Sequence, residues 1–399
     1  MSEIPWLTIV GLGEDAPEGL SRASLAALDT AEIVMGPARH LSLLPDVDAE
    51  QIAWPVPFAD GIARLIALRG RRVVVLASGD PFWFGAGSSI TRLLEPDEWV
   101  ALPGPSTFSL VAARMGWPLE QTECFGLHAA PLTRLRPELA CGVRMIVLLR
   151  EGAAVHALAA YLCESGFGDS SLTVFEAVGG PRARQTNAIA STLPETEFAH
   201  PVCVALEVTG QGAVLPRASG RPDVWFESDG QMTKRPVRAL TLSALAPRPF
   251  EHLWDIGGGS GSVGIEWLLT DMSLSATCIE PRADRAARIV QNAATLGVDR
   301  LHVVQGVAPD ALEGLTPPDV VFVGGGLSFA LLEWLEVHLP AGTRIVANAV
   351  TLESEALLAQ THARLGGDLL RIELAQAAPL GKLRGWKSSY PLVQWSAVL

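Results

Sequence analysis

The stretch DIGGGSGSVGIEW, Asp255 to Trp267, decides the fold. It follows the short run HLW (His252 to Trp254) and opens a segment of helical character. Asp255, Gly257, Gly259 and Gly261 form a D-x-G-x-G-x-G loop. Such a loop sits at the carboxyl end of a first parallel strand, where open α/β sheets bind ligands. Its glycines let backbone approach a ligand closely, and the helix start beyond it offers unpaired N–H groups. Counted from Gly257, the dinucleotide form G-x-G-x-x-G would need glycine at Ser262, and the next one comes at Gly264. Taken without context, such a string is also found as a plain strand-to-helix turn.

The surrounding sequence supplies the context. SATCIEP reads as a second strand ending at Glu280, about 20 residues past the loop, where this fold places an acid on ribose hydroxyls. LHVVQG, DVVFVGGG (Asp319 to Gly326) and TRIVANAV (Thr343 to Val350) read as further strands, with Arg282 to Leu296 a helix between. Strands alternating with helices give a doubly wound sheet. An acid for the ribose with no phosphate-gripping lysine suits an adenosyl ligand without pyrophosphate, S-adenosylmethionine rather than NAD.

At 399 residues the chain predicts two domains. A net charge of −13 argues against general nucleic-acid binding, which needs a basic surface. The lysines, Lys234, Lys382 and Lys387, all lie in the second half. Cys124, Cys141, Cys163, Cys203 and Cys278 show neither a C-x-x-C pair nor ligand-like spacing, so they read as small buried hydrophobes, with no disulfide framework and no metal site. The N-terminus enters a strand without a signal-like run, and no apolar stretch reaches about 18 residues. The expectation is a soluble cytoplasmic protein with no membrane partner.

In the first half, WLTIVGLG reads as a strand and SRASLAALDTAEIVMG as a helix capped by Ser21 and stopping at Gly36. An amphipathic helix is expected around Phe58 to Leu68. The apolar strand Val73 to Ala77 delivers Ser78, Gly79, Asp80 and Pro81 at its end, and WVALPGPSTFSLVAARMGWP gives a strand, a Pro-Gly-Pro turn and a helix capped by Ser106 or Thr107. Each turn alone is ordinary strand-to-helix punctuation; together with VGLG they make a ligand cleft.

VGLG (Val10 to Gly13), SGDPFWFG (Ser78 to Gly85) and PGPSTFSLVAARMGWP (Pro103 to Pro118) resemble the tetrapyrrole (precorrin) methyltransferase family. The resemblance implies a two-lobed class III fold with S-adenosylmethionine between the lobes. It places Gly79 and Asp80 at the methionine end and Ser106 and Thr107 along the cofactor, with backbone from MIVLLREG and FEAVGGPRARQ. The first loop departs from the family: GLGEDAPEG stands where many members have Gly-Pro-Gly. Glu14 and Asp15 therefore sit at the expected substrate mouth, and that loop is not assigned to a substrate carboxylate.

MTKRPVRALTLSAL, DIGGGSGSVGIEW, FVGGG and VANAVTLE together resemble the decarboxylating precorrin methyltransferases of cobalamin synthesis. The expected architecture is α/β: a tetrapyrrole methyltransferase domain over 1–215 (lobes 1–118 and 119–215), a linker over 216–228, and a Rossmann-like class I methyltransferase domain over 229–399. The resemblance implies cofactor contacts from Thr233, Gly257, Gly258, Gly259, Ser260, Gly261, Glu280 and Ala308. Val307 stands where many class I enzymes have an acid and is excluded as a polar ligand.

The segment from Thr233 reads as a capped helix with Lys234, Arg235 and Arg238 clustered; the plain alternative is a solvated basic helix end. Gly324, Gly325 and Gly326 replace the (D/N)-P-P-(Y/F) clamp of amino-group methyltransferases, leaving room for a bulky ring and exposing N–H donors. Lys382, Arg384 and Lys387 could hold carboxylates, or decorate a solvated hairpin.

The implied activity is transfer of methyl groups from one S-adenosylmethionine per domain to precorrin carbons 5 and 15, with loss of the ring C acetate carboxyl, by a homo-oligomer. The sequence names no catalytic residue. An RNA or protein methyltransferase and a non-catalytic corrinoid carrier are the alternatives; the acidic balance and the missing clamp weigh against the first.

Overall fold

The structure is a computed structural model and describes residues 5–44 and 46–399. It divides into two compact units: the first runs to Pro131 and resumes over Leu139–Ala213, and the second joins Leu132–Glu138 to Val214–Leu399.

The first unit begins with β1 (Leu7–Leu12), α1 (Arg22–Thr30), β2 (Ile33–Gly36), α2 (Ala38–Leu41), β3 (Glu50–Ala53), α3 (Phe58–Ile66), β4 (Val73–Ser78), α4 (Gly87–Thr91), β5 (Trp99–Leu102) and α5 (Thr107–Met115). Its strands form a parallel sheet in the order β3-β2-β4-β1-β5. A second sheet combines β6 (Glu123–Gly126), β7 (Arg144–Leu149), β8 (Ser171–Glu176), β9 (Arg184–Ile189) and β10 (Val202–Glu207) in the order β6-β7-β10-β8-β9, with α6 (Ala153–Glu164) after β7. The two lobes match the expected two-lobed fold.

One local reading changes. The helix capped by Ser21, whose Oγ accepts from Ser24 N–H, ends at Thr30 rather than Gly36. Ile33–Gly36 is a fully buried strand between β3 and β4. Ile33 and Val34 are β-branched, which favours a pleated, buried strand paired with β4 over a further helical turn.

The second unit contains α7 (Arg235–Leu245), β11 (His252–Ile256), α8 (Ser262–Leu268), β12 (Ser275–Glu280), α9 (Ala283–Thr295), β13 (His302–Gln305), β14 (Val320–Val323), α10 (Phe329–His338), β15 (Arg344–Ala349), α11 (Leu352–Leu365), β16 (Asp368–Ile372), the hairpin β17 (Ala375–Leu380) and β18 (Leu383–Ser388), and β19 (Leu392–Val398). The main sheet runs β13-β12-β11-β14-β15-β19-β16, parallel through β15 and antiparallel beyond it. Strand order reverses between β11 and β14, the place where this architecture binds ligands. Alternate side chains feed two cores. Leu253, Cys278 and Phe322 pack under residues of α7, α8 and α9, while Trp254, Ile279 and Val321 pack with residues of α10, α11 and Trp395. This is the expected Rossmann-like sheet.

The stretch read as linker packs here. Phe226 is buried in the core beside Leu215, and Arg221 is 3% exposed. The Leu132–Glu138 turn joins the same unit: Arg134 makes two bonds to the Asp299 carboxylate, and the Arg136 guanidinium lies 4.6 Å over the Trp225 ring. Of the cysteines, Cys203 and Cys278 are buried, whereas Cys141 and Cys163 are exposed, so the uniformly buried reading fails for these two. No helix among the described residues is long and apolar enough to cross a membrane.

The basic helix start also differs from expectation. The N-cap is Lys234, without a side-chain cap bond, so Thr233 lies outside the helix. Arg238 is not solvated but fully buried, because it points inward to the Glu266 carboxylate at 2.6 Å. Glu266, also fully buried, accepts from Gly220 N–H and Arg221 N–H and pairs with the Arg221 side chain. Removing one partner of such a buried cluster leaves charge uncompensated, at a cost of about 3–5 kcal/mol. Glu266→Ala should therefore lower the unfolding free energy of the full chain by that amount, read from its urea midpoint, while Glu336→Ala, at an exposed pair with Arg364, should cost under about 1 kcal/mol.

Candidate active sites

In the first unit, β1, β4 and β5 end side by side and their following turns converge. A Cβ on Gly11 would lie 1.9 Å from Gly79 O and 2.4 Å from Gly104 N. Gly79 has φ +52, and its own Cβ would fall 2.9 Å from Pro105 O. The end of β1 and the turns after β4 and β5 thus meet backbone to backbone beside a cavity of about 340 Å³. Gly79, Asp80, Ser106 and Thr107 all line it. The Asp80 carboxylate accepts from Phe82 N–H at 2.8 Å and shapes the turn. Ser106 caps α5 by accepting from Ser109 N–H, so its hydroxyl is already committed.

Glu14, which the sequence reading noted and left unassigned, completes this cavity together with residues it did not single out. The Glu14 carboxylate, 8% exposed, is gripped by Arg39 and by Arg182 at 3.0 Å. The departure in the first loop is therefore an internal acid between two arginines. His40 Nε2 lies 2.7 Å from Arg39 Nη2 and 3.0 Å from Ser78 Oγ. A guanidinium can only donate, so Nε2 is the unprotonated acceptor and the imidazole is neutral. Burial, with Arg39 adding to it, pushes the His40 pKa down to about 4, and burial also lowers that of His200. The ARH triplet between apolar runs was the available signal, but nothing local shows which way it faces.

In the second unit a larger cavity, about 1710 Å³, opens over the reversal point. Gly257 has φ +74, and a Cβ there would lie 2.6 Å from Gly325 N, so the β11 and β14 turns also meet as bare backbone. A Cβ on Gly258 would lie 2.0 Å from Cys278 Sγ, whereas at Gly259 the nearest atom would be Gln231 O at 3.5 Å. Gly259 is thus the open face of the loop. Gly257, Gly258, Gly259, Glu280, Ala308, Thr233, Gly324, Gly325 and Gly326 line this one cavity.

Ser260 and Gly261 sit beneath the loop instead. Ser260 is 1% exposed, its carbonyl accepting from Asn292, and Gly261 packs on Ile289. Lys387 reaches the cavity, while Lys382 and Arg384, nearer the hairpin turn, do not line it. The loop also carries G-x-G-x-x-G spacing from Gly259 to Gly264, a frame missed by counting from Gly257. Gly264 N–H donates to Asp255 at 2.9 Å, and burial raises the Asp255 pKa to about 6.

Glu280 is tied to the loop it faces. One carboxylate oxygen accepts from Gly259 N–H at 2.8 Å and the other from Arg282 N–H at 3.0 Å. The loop is thereby fixed to the end of β12, and each carboxylate oxygen keeps a second acceptor position.

A family model described as "Precorrin methyltransferase domain" matches residues 224–399, and one described as "Tetrapyrrole (Corrin/Porphyrin) Methylases" matches residues 6–194. A precorrin-6Y C(5,15)-methyltransferase [decarboxylating] from Sinorhizobium sp. is 48% identical over 397 residues, 98% of this chain and 96% of that one. The chain belongs to the precorrin-6Y C(5,15)-methyltransferase (decarboxylating) family. A relative of the same name from Mycobacterium tuberculosis (strain CDC 1551 / Oshkosh) is 40% identical over 98% of this chain and 99% of its own. The solved C-terminal domain of the Rhodobacter capsulatus precorrin-6Y C5,15-methyltransferase is 57% identical, with TM-score 0.45, covering 46% of this chain and 100% of that domain.

Precorrin-6Y methyltransferases use S-adenosylmethionine as a family. Both cavities fit it in one respect the structure displays: each is bordered by glycine backbone, Gly79 in the first and Gly257 to Gly259 in the second, that a ligand can approach closely. In the second, Glu280 adds acceptor capacity suited to hydroxyls.

Two outcomes follow from this geometry. Glu280→Gln places an amide N–H against a backbone N–H in either orientation, so cofactor affinity of the second unit should fall by about 1.5–3 kcal/mol in calorimetric titration, with the first unit unaffected. For His40, the unfolded side chain takes a proton below pH 6.5 and the folded one only near pH 4, so stability drops as pH falls through that window, by on the order of 3 kcal/mol. Thermal melts of His40→Asn should show that much less pH dependence than the parent.

Proposed function

We propose that this chain methylates a precorrin at carbons 5 and 15 and removes the ring C acetate carboxyl as carbon dioxide, with the N-terminal domain (1–215) serving carbon 5 and the C-terminal domain (229–399) serving carbon 15 and the decarboxylation. Each domain binds one S-adenosylmethionine, and the enzyme is a cytoplasmic homo-oligomer. The observation that carries the reading is the pair of separate glycine-floored cavities, each at the carboxyl ends of parallel strands, in a chain aligned to such a relative over 98% of its length.

When bound, S-adenosylmethionine supplies an electrophilic methyl group on sulfur. The protein's part is placement, with bulk water kept from the transferring methyl group. In the first unit, the turns of Gly79 and Ser106–Thr107 set the cofactor's position, and Glu14 and Arg39 lie at the cavity wall, with Arg182 paired to Glu14. In the second, Gly259 and Glu280 hold the adenosyl group, and the side-chain-free Gly324–Gly326 turn admits a flat macrocycle. Lys387 is placed to pair with a carboxylate that the product keeps. A reduced tetrapyrrole meso carbon is itself nucleophilic, which accounts for the absence of a recognisable catalytic triad. In decarboxylation the C–C bond to the carboxylate breaks, its electron pair enters the conjugated ring system, and a proton from water completes a methyl group.

The division of labour is open to direct test. Gly259→Val puts a branched side chain at φ +59 on the open face of the second loop, whereas Asp80→Ala alters only the first turn. With precorrin and labelled cofactor, the Gly259 variant should add one methyl group and release no carbon dioxide. The Asp80 variant should release carbon dioxide normally. Normal release by a folded Gly259→Val protein would reverse the assignment.

A further inference from the structure

Asn348 stands at the carboxyl end of β15. Val323 pairs with Ala347, so one residue further Asn348 lies beside Gly324 on the neighbouring strand. It lines the second cavity and is partly exposed to it. Behind it, Thr241 of α7 is fully buried and Gln394 of β19 is 4% exposed. Asn348 and Gln394 are direct partners in the antiparallel ladder.

The three side chains form a closed triangle. Asn348 Nδ2 donates to Thr241 Oγ1 at 3.0 Å, Gln394 Nε2 donates to Thr241 Oγ1 at 3.1 Å, and Gln394 Nε2 donates to Asn348 Oδ1 at 2.9 Å. Both Gln394 amide hydrogens are thereby used. With the Gln394 amide set this way, turning the Asn348 amide alone would put its NH₂ against the Gln394 NH₂, donor to donor, so each amide fixes the other. That orientation leaves Asn348 one Nδ2–H beyond the bond to Thr241, at a position that lines the cavity.

We propose that this hydrogen orients the substrate carboxylate that leaves as carbon dioxide, making Asn348 a substrate-binding residue of the second site and Thr241 and Gln394 its positioning residues. The proposal rests on the function given above. As the C–C bond breaks, negative charge drains from the carboxylate into the ring. A cation at that carboxylate would stabilise the starting state more than the transition state and slow the step. A fixed neutral donor sets direction with a smaller penalty of the same kind. The cations that line the cavity come from other elements: Lys234 and Arg235 at the start of α7, Arg285 of α9 and Lys387 of β18.

The test uses the full chain with precorrin and S-adenosylmethionine, following carbon dioxide release and cofactor affinity together. Asn348→Ala and Asn348→Asp should lower kcat/KM for release roughly 10- to 150-fold, the range for one charge-assisted hydrogen bond, with cofactor affinity unchanged. Thr241→Val, which removes the acceptor shared by both amides and lets them turn together, should give a smaller loss, and Thr241→Ser, which keeps the hydroxyl, should restore the rate. Unchanged release in both Asn348 variants overturns the assignment, as does a loss matched by an equal loss of cofactor affinity. If the parent protein itself leaves precorrin mass unchanged, the functional reading fails, and the role of Asn348 fails with it.

Discussion

Peptide backbone occupies, at both sites, the space where a side chain would begin. Gly11 meets Gly79 and Gly104 in the first unit, and Gly257 meets Gly325 in the second, with added Cβ atoms falling at 1.9–2.6 Å from neighbouring backbone. Parallel strands sit at fixed spacing, so turns leaving adjacent strand ends crowd one another unless the residues there are bare. That steric condition brings the strand ends together beneath each cavity. The two units reach the same solution with unrelated topologies, one with strand order β3-β2-β4-β1-β5 and one reversing between β11 and β14.

Charge is arranged around these floors with little waste. Glu280 spends its carboxylate on Gly259 and Arg282 N–H groups and thereby fixes the loop it also serves. Glu266, directly beyond that loop on α8, ties Gly220, Arg221 and Arg238 into the core. Arg238 in turn holds the Thr233 and Arg221 carbonyls, so residues that rim the cavity depend on a buried ion cluster for their positions. Glu14 plays the comparable part in the first unit, between Arg39 and Arg182. The arginines suit this because a planar guanidinium can satisfy a carboxylate and a carbonyl at once.

This organisation fits chemistry in which the substrate carries its own electron sink. The protein has to bring a large anionic ring against a methyl donor in a fixed pose, and glycine turns, a locked amide and a few placed cations are the means it has. The fully buried Thr241 and the nearly buried Gln394 show how much structure stands behind one partly exposed amide at the cavity wall.

Much of this was legible in the chain itself. The strand leading into the glycine loop, the loop itself, the acid at Glu280, the bare Gly324–Gly326 turn and the Ser106 cap are local patterns whose meaning depends on neighbours within a few residues or on one repeat of strand and helix. What the sequence could not show depends on pairing across long separations. Ile33–Gly36 reads as a helical continuation until β3 and β4 flank it as strands. Arg238 reads as a solvated cation until Glu266, 28 residues on, takes it inside. Leu132–Glu138 reads as part of the first half until Asp299, 165 residues beyond Arg134, holds it in the second unit. Ser260 reads as part of a ligand loop until α9 covers it. Composition and spacing set which backbone conformations and which chemistries are possible. The direction a side chain finally faces is set by the partner that satisfies its charge or hydrogen bonds, and that partner is chosen by the fold.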